Sequence, residues 1–140
     1  MTNEPSPKPI VLVSALILID GQNKILLAER PSGKAMAGLW EFPGGKVEEF
    51  ETPESALCRE IKEELDITLK IENLNPFTFA SHTYEKFHLL MPLFTCRNWQ
   101  GELRSNEGQK FEWVKANNLR NFQMPPADEP LITFIEKSFG

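Results

Sequence analysis

Residues 10–19 read IVLVSALILI, aliphatic and β-branched throughout except at Ala15 and Ser14. A run of that length and composition predicts a buried strand. Asp20-Gly21 then supplies a turn signal, and Lys24 to Glu29 (KILLAE) is expected to return as its hairpin partner. Pro31, Gly33 and Gly38 mark residues 31–38 as a loop. Leu39 to Phe42 reads as a short strand stopped by Pro43-Gly44-Gly45. Leu57, Ile61 and Leu65 then recur every four residues, the spacing of one buried helix face. Thr52 suits the N-cap of that helix, Pro53 its first position and Glu54 its positive end. Segments 67–72, 76–82 and 86–97 are strand candidates rich in Ile, Phe, Thr and Leu. Residues 98–110 read as a loop and Phe111 to Val114 as a short strand. Pro125-Pro126 precedes a final amphipathic helix over roughly 128–138, with Leu131, Ile132 and Ile135 inward. Strands, helix, strands, helix predict an α+β fold, a mixed β-sheet sandwiched between α-helices. Residues 1–9, with Pro5, Pro7 and Pro9 and no periodicity, are expected to be a flexible tail before a single domain over 10–140.

A chain of 140 residues can bury one core without a disulfide or structural metal. Its 41% hydrophobic and 25% charged content are those of a soluble globular domain. The formal charge of −5 lacks the basic footprint that a polymeric nucleic acid requires. It leaves room for a small phosphorylated ligand, because a bound cation can reverse the local sign. Cys58 and Cys96 have no ligand spacing and read as reduced thiols. The 10–19 run is too short to span a bilayer, and no signal peptide is evident. A cytoplasmic monomer with no membrane partner is the expectation.

Glu60, Glu63 and Glu64 stand at i, i+3 and i+4, on one side of a single helical turn. Glu48, Glu49, Glu51 and Glu54 crowd the same region. Acidic helices are usually solvated faces, and like charges at this spacing repel by a few tenths of a kcal/mol per pair. A hard divalent cation turns such a cluster into a binding site, since Mg²⁺ and Mn²⁺ favour carboxylate and carbonyl oxygens. Gly44-Gly45 upstream, Glu51, and Arg59 beside the first helical carboxylate add a pattern that a solvated face does not need.

Residues 45–67, GKVEEFETPESALCREIKEELDI, resemble the signature of the nudix hydrolase family. Gly45, Glu51, Arg59, Glu60, Ile61, Glu63, Glu64 and Ile67 match it, and Asp66 stands where the family has Gly. Gly there adopts a left-handed backbone, which Asp tolerates better than most residues at a cost of roughly 1 kcal/mol or less. The resemblance implies that Glu60, Glu63 and Glu64 hold Mg²⁺, or Mn²⁺, with the Gly44 carbonyl and Glu107 as further ligands. Glu60 or Glu107 would accept the proton of the attacking water, and Glu51 and Arg59 would pair to hold the motif together. The substrate would be a nucleoside triphosphate, split to the monophosphate and pyrophosphate.

Resemblance to the MutT branch of the family, the 8-oxo-dGTP diphosphatases, runs through LWEFPGGKVE (39–48), EGQ (107–109) and MPPADEPLI (124–132). It implies that Arg30 contacts phosphate, that Gly44 and Gly45 flank the substrate, and that Asp128 reads the base, where that branch has Asn. Phe42 and Phe79 could stack on that base, although strand aromatics are more often core. An ionised Asp is acceptor-only, whereas Asn offers a donor and an acceptor. A protonated Asp128 would restore the pair, while an ionised one suits a cytosine amino group. Asp128 is equally a good helix N-cap. The alternatives are a CTP or methylated-dCTP pyrophosphohydrolase, whose branch also carries Asp here, a nucleotide-binding module without turnover, and a base-reading module of a DNA repair glycosylase.

Overall fold

A computed structural model describes residues 8–33 and 35–140. The tail expected over residues 1–9 therefore lies mostly outside the described residues. Its last two members are tied down, because Lys8 Nζ donates to the Tyr84 carbonyl (2.9 Å) and the Pro9 carbonyl accepts from the His88 N–H (2.9 Å).

The aliphatic run forms β1 (Ile10–Leu18), which lies inside a mixed sheet. It pairs parallel with β6 (His88–Cys96), from Ile10 opposite His88 to Leu18 opposite Cys96. On its other edge it pairs antiparallel with β4 (Gly44–Lys46), and β5 (Asn75–Thr83) completes the sheet beyond β6. Gly44 is required by this pairing: a Cβ there would overlap the Ser14 carbonyl oxygen and the Ala15 backbone. A second, antiparallel sheet has the order β3 (Trp40–Glu41), β2 (Lys24–Glu29), β7 (Phe111–Lys115).

The expected hairpin between β1 and β2 is thus corrected. Only Ile19 and Ile25 bridge the two strands, after which β2 leaves for the second sheet. Its side chains explain the divergence. Ile25, Leu26 and Leu27 are all fully buried, so β2 needs cover on both faces. Residues 67–72 do not make a strand either. Ile67 and Leu69 bury as an extended segment would, but Thr68 bridges only to Gln100 and the chain then turns through a 3₁₀ helix, Ile71–Asn73.

Two helices cover the sheets. α1 (Pro53–Leu65) places Leu57, Ile61 and Leu65 against Leu16, Leu18 and Phe94. α2 (Glu129–Phe139) places Leu131, Ile132 and Ile135 against Ala15, Ile17 and Leu93 on the opposite face. The period-two alternation of β1 sorts its residues between these two cores. Among the described residues no helix is long and apolar enough to cross a membrane.

The start of α1 is fixed reciprocally. Thr52 Oγ1 accepts from the Ser55 N–H and Ser55 Oγ accepts from the Thr52 N–H, both at 3.0 Å. Its end is fixed by Asp66 at φ 59°, ψ 27°, the left-handed cap expected from the sequence. Phe50, just before the helix, also has positive φ (68°), yet its side chain is 98% exposed. A left-handed backbone costs a non-glycine residue about 1–2 kcal/mol, and no burial offsets it here. Phe50→Gly is therefore expected to raise stability by about 0.5–1 kcal/mol, after the added flexibility of the unfolded chain is subtracted. Urea or thermal unfolding measures this, and a fall in stability would reveal a stabilising contact of the Phe50 ring.

Candidate active site

Loop 46–51 is clamped onto α1 by one arginine. Arg59 Nε and Nη2 donate to the two carboxylate oxygens of Glu51, at 2.7 and 2.8 Å. Nη2 also reaches the Lys46 carbonyl at 3.1 Å, and Glu51 accepts from the Glu48 N–H at 2.9 Å. Bidentate pairing with Arg59, aided by that N–H, holds the Glu51 carboxyl at about 2 and raises the Arg59 guanidinium above its ordinary value. Glu51 and Arg59 are thus structural partners.

Arg59 Nη1 continues to Glu60 Oε1 at 2.9 Å and to Glu63 Oε2 at 3.5 Å. The Glu60 carboxylate rests on Gly45, where any Cβ would overlap it. Glu63 points outward, its side chain 59% exposed. Glu64, one turn beyond Glu60, is half-buried and faces the charges of Glu60 and Glu107. Desolvation, followed by the charges of Glu60 and Glu107, pushes its carboxyl well above the ordinary range.

Glu107 reaches this place because the loop carrying it caps the end of α1. The Arg104 N–H donates to the Leu65 carbonyl (2.9 Å), the Asn106 N–H to the Glu64 carbonyl (3.1 Å) and Asn106 Nδ2 to the Glu63 carbonyl (2.9 Å). Buried Gln109 shapes the loop from within, its Oε1 accepting from Ser105 Oγ (2.8 Å) and the Glu107 N–H (3.2 Å). The carboxylate end thus combines Glu60, Glu64 and Glu107, with Glu63 at the rim.

Among the described residues no three acidic, histidine or cysteine side chains already stand as a metal cage. The donor chemistry nonetheless fits a hard divalent cation. Every side chain gathered there offers oxygen, and burial together with the nearby carboxylates disfavours the charged form of Glu64, which a cation would restore. Ser14 Oγ, opposite Gly45 in the strand register, is fully buried with no hydrogen-bond partner.

Two clefts adjoin the carboxylates. A narrow one of about 40 Å³ lies between Glu64, Glu107, Gln109 and Pro43. A wider one of about 360 Å³ has walls from Val11, Val13, Met91, Phe42, Tyr84 and Phe87. Arg30 and Glu41 line both. Arg30 Nη1 pairs with the Glu41 carboxylate (3.1 Å) while its Nε holds the Ala35 carbonyl (2.7 Å).

A profile of the NUDIX domain matches residues 14–134 of this chain. The chain belongs to the nudix hydrolase family. It is 34% identical over 121 residues to the 8-oxo-dGTP diphosphatase of Escherichia coli K12, covering 86% of this chain and 92% of that protein. It is 39% identical over 127 residues to the CTP pyrophosphohydrolase of the same organism, covering 89% and 90%. Among solved folds, a MutT structure from work on Aliivibrio salmonicida and Vibrio cholerae superposes with a TM-score of 0.79 at 30% identity, covering 93% of this chain and 99% of that one.

Within this nudix fold the wide cleft ends at Asp128. The residue occupies the N-cap position of α2 but has helical angles (φ −85°, ψ −28°) and makes no capping bond. Asp128, 5% exposed, lines the cleft, and its carboxyl takes the Phe42 N–H instead. Burial, reinforced by the Glu41 charge and opposed by the Phe42 N–H and Arg30, pushes it up to about 7. Phe42 lines the cleft as expected, as do Arg30, Gly44 and Gly45. Phe79 does not. A bulge between Pro76 and Thr78 sets the alternation of β5 so that Ala80 faces the core and Phe79, 62% exposed, faces away. The base-stacking expectation for Phe79 is therefore withdrawn. Glu41, Tyr84, Gln109 and Ser14 were not singled out for the nudix site by sequence. Glu41, inside LWEFPGGKVE, and Gln109, inside the EGQ segment, carried a signal.

Proposed function

We propose that this nudix hydrolase cleaves a nucleoside triphosphate to the monophosphate and pyrophosphate, with 8-oxo-dGTP as its preferred substrate. The supporting observation is the joining of two unlike clefts by Arg30 and Glu41: an acidic one walled by Glu64 and Glu107, and an apolar one ending at Asp128. An apolar slot with one polar end suits a base, and an oxygen-rich cluster suits a cation-bound polyphosphate. Glu60, Glu64 and Glu107 would hold Mg²⁺, or Mn²⁺, joined by Glu63 and the Gly44 carbonyl. When bound, that cation neutralises triphosphate charge and makes water a better nucleophile.

The chain's own residues do the rest. The Glu51–Arg59 clamp fixes the loop that follows β4, and so steadies Gly45, the floor under Glu60. Arg30 offers its guanidinium to a phosphate oxygen in exchange for Glu41. A carboxylate accepts the proton of the water that attacks the β-phosphorus. Glu60 already commits one oxygen to Arg59, and Glu107 stands exposed on its loop. Phe42 packs against the base and Asp128 reads its edge.

Pyrimidine recognition is the second reading, supported by Asp128 as a buried acceptor and by the relative named a CTP pyrophosphohydrolase. A panel of 8-oxo-dGTP, dGTP, dCTP and CTP with Mg²⁺, scored for kcat/KM and for pyrophosphate against phosphate, tests both. Pyrophosphate release with 8-oxo-dGTP ranked first is expected. Binding without release would leave only a nucleotide-binding module, and dCTP or CTP in first place would favour the second reading.

A further inference from the structure

Asp128 leaves a base-reading problem unsolved. An oxidised guanine presents an N7–H donor beside a 6-oxo acceptor, so a reader must offer one acceptor and one donor. A carboxylate supplies acceptors only. A donor is missing from its end of the cleft unless another residue provides it.

Tyr84 is placed to do so. It sits at the tip of the β5–β6 hairpin, where its N–H donates to the Phe87 carbonyl at 2.8 Å. Its ring and that of Phe87, 5.2 Å apart, both line the wide cleft. Its hydroxyl oxygen accepts from the Ala127 N–H at 3.3 Å, one residue before Asp128. The Asp128 charge acts on the phenol and helps to raise it above its ordinary value, behind burial as the first cause. A phenol both accepts and donates. Its acceptor side is used by Ala127, and among the described residues no acceptor takes its own proton. That proton has the cleft to point into.

We propose that Tyr84 is a base-reading residue, whose hydroxyl donates to a ring carbonyl of the substrate while Asp128 accepts from the neighbouring ring N–H. The same hydroxyl tethers the 125–128 turn through Ala127, so the donor and the acceptor are held in fixed relation. This rests on the reading that the wide cleft takes the base, and it names the chemistry selected there: a carbonyl next to an N–H, rather than an amino group.

The test uses Tyr84→Phe, which keeps the ring and removes only the hydroxyl. At pH 8 the ratio of kcat/KM for 8-oxo-dGTP to that for dCTP is expected to fall about tenfold. The Tyr84→Phe/Asp128→Asn double variant should recover most of that loss, because an amide brings its own donor. A tether alone would not be rescued in this way. An unchanged ratio in Tyr84→Phe overturns the proposal, and so does a loss that Asp128→Asn does not restore. Circular dichroism and melting temperature confirm that the compared proteins are folded. If the parent protein prefers pyrimidines, the substrate reading fails by itself. The hydroxyl is then tested by dUTP against dCTP, which differ in carbonyl against amino at one ring position. A fall in the dUTP to dCTP ratio on Tyr84→Phe upholds the donor role, and a constant ratio overturns it.

Discussion

Glu64→Gln is expected to lower kcat/KM for the best nucleoside triphosphate by about 10³-fold, roughly 4 kcal/mol of lost transition-state stabilisation, and Glu60→Gln to fall beside it. Glutamine matches the shape of glutamate and its need for hydrogen bonds, so packing around Ile61 and Leu65 is preserved. It cannot offer an anionic oxygen to a cation. Stability should move the other way. The Glu64 carboxyl is raised in the folded protein by burial and by the charges of Glu60 and Glu107. The folded state therefore holds that proton after the unfolded chain has lost it, and stability declines as pH climbs through and beyond the ordinary carboxylate range. Without added metal, Glu64→Gln loses that decline and melts higher than the parent protein at pH 8. Added Mg²⁺ raises the melting temperature of the parent by preferential binding to the folded state, and leaves the variant nearly unmoved. Turnover lost, intrinsic stability gained and the Mg²⁺ response abolished form a combination that misfolding cannot produce. Near-normal turnover in both Gln variants would end the metal assignment for this helix.

What the sequence made legible was local. The spacing of Leu57, Ile61 and Leu65, the Thr52 cap and the left-handed turn at Asp66 all depend on neighbours within one or two helical turns, and all stand in the structure. The Glu51–Arg59 pair was legible through the motif, and its geometry is bidentate. Pairing across long separations was not legible. β2 finds β7, whose residues lie far along the chain, and no turn signal at Asp20-Gly21 reports that choice. The short strand β4 was hidden because Gly44-Gly45 carries loop propensity, and only its contact with β1 makes it extended. Asp128 shows a local rule losing to a tertiary one. Its sequence position suits a helix cap, but the buried Phe42 N–H takes the carboxyl. Tyr84 was invisible for the same reason, since it matters only through what the fold brings beside it.

Asp128→Asn is expected to change which base is preferred and to remove the pH dependence of that preference. In the parent protein the carboxyl titrates at about 7, held up by burial and Glu41 against the Phe42 N–H and Arg30. Tyr84 also lines that cleft, and its phenol, raised above its ordinary value by burial, stays neutral through this range. Below the midpoint the neutral carboxyl can both donate and accept, which suits a carbonyl beside an N–H. Above it the carboxylate only accepts, which suits a cytosine amino group. The ratio of kcat/KM for 8-oxo-dGTP to that for dCTP should therefore fall as pH rises from 6 to 8. In the Asn variant, which offers a donor and an acceptor at every pH, it should be flat; because Tyr84 still supplies a donor in the parent at pH 8, the two proteins should differ there by less than about tenfold. Folding stability supplies an independent reading of the same group. The Asp128 carboxyl rises from 3.8 to about 7 on folding, so the folded state retains its proton longer. Stability then drops across that interval as pH increases, and the Asn variant lacks this drop. Phosphate chemistry should be untouched, with pyrophosphate still released. A parent ratio that is level from pH 6 to 8 and equal to that of the variant would show that Asp128 does not read the base, however well it is buried in the cleft.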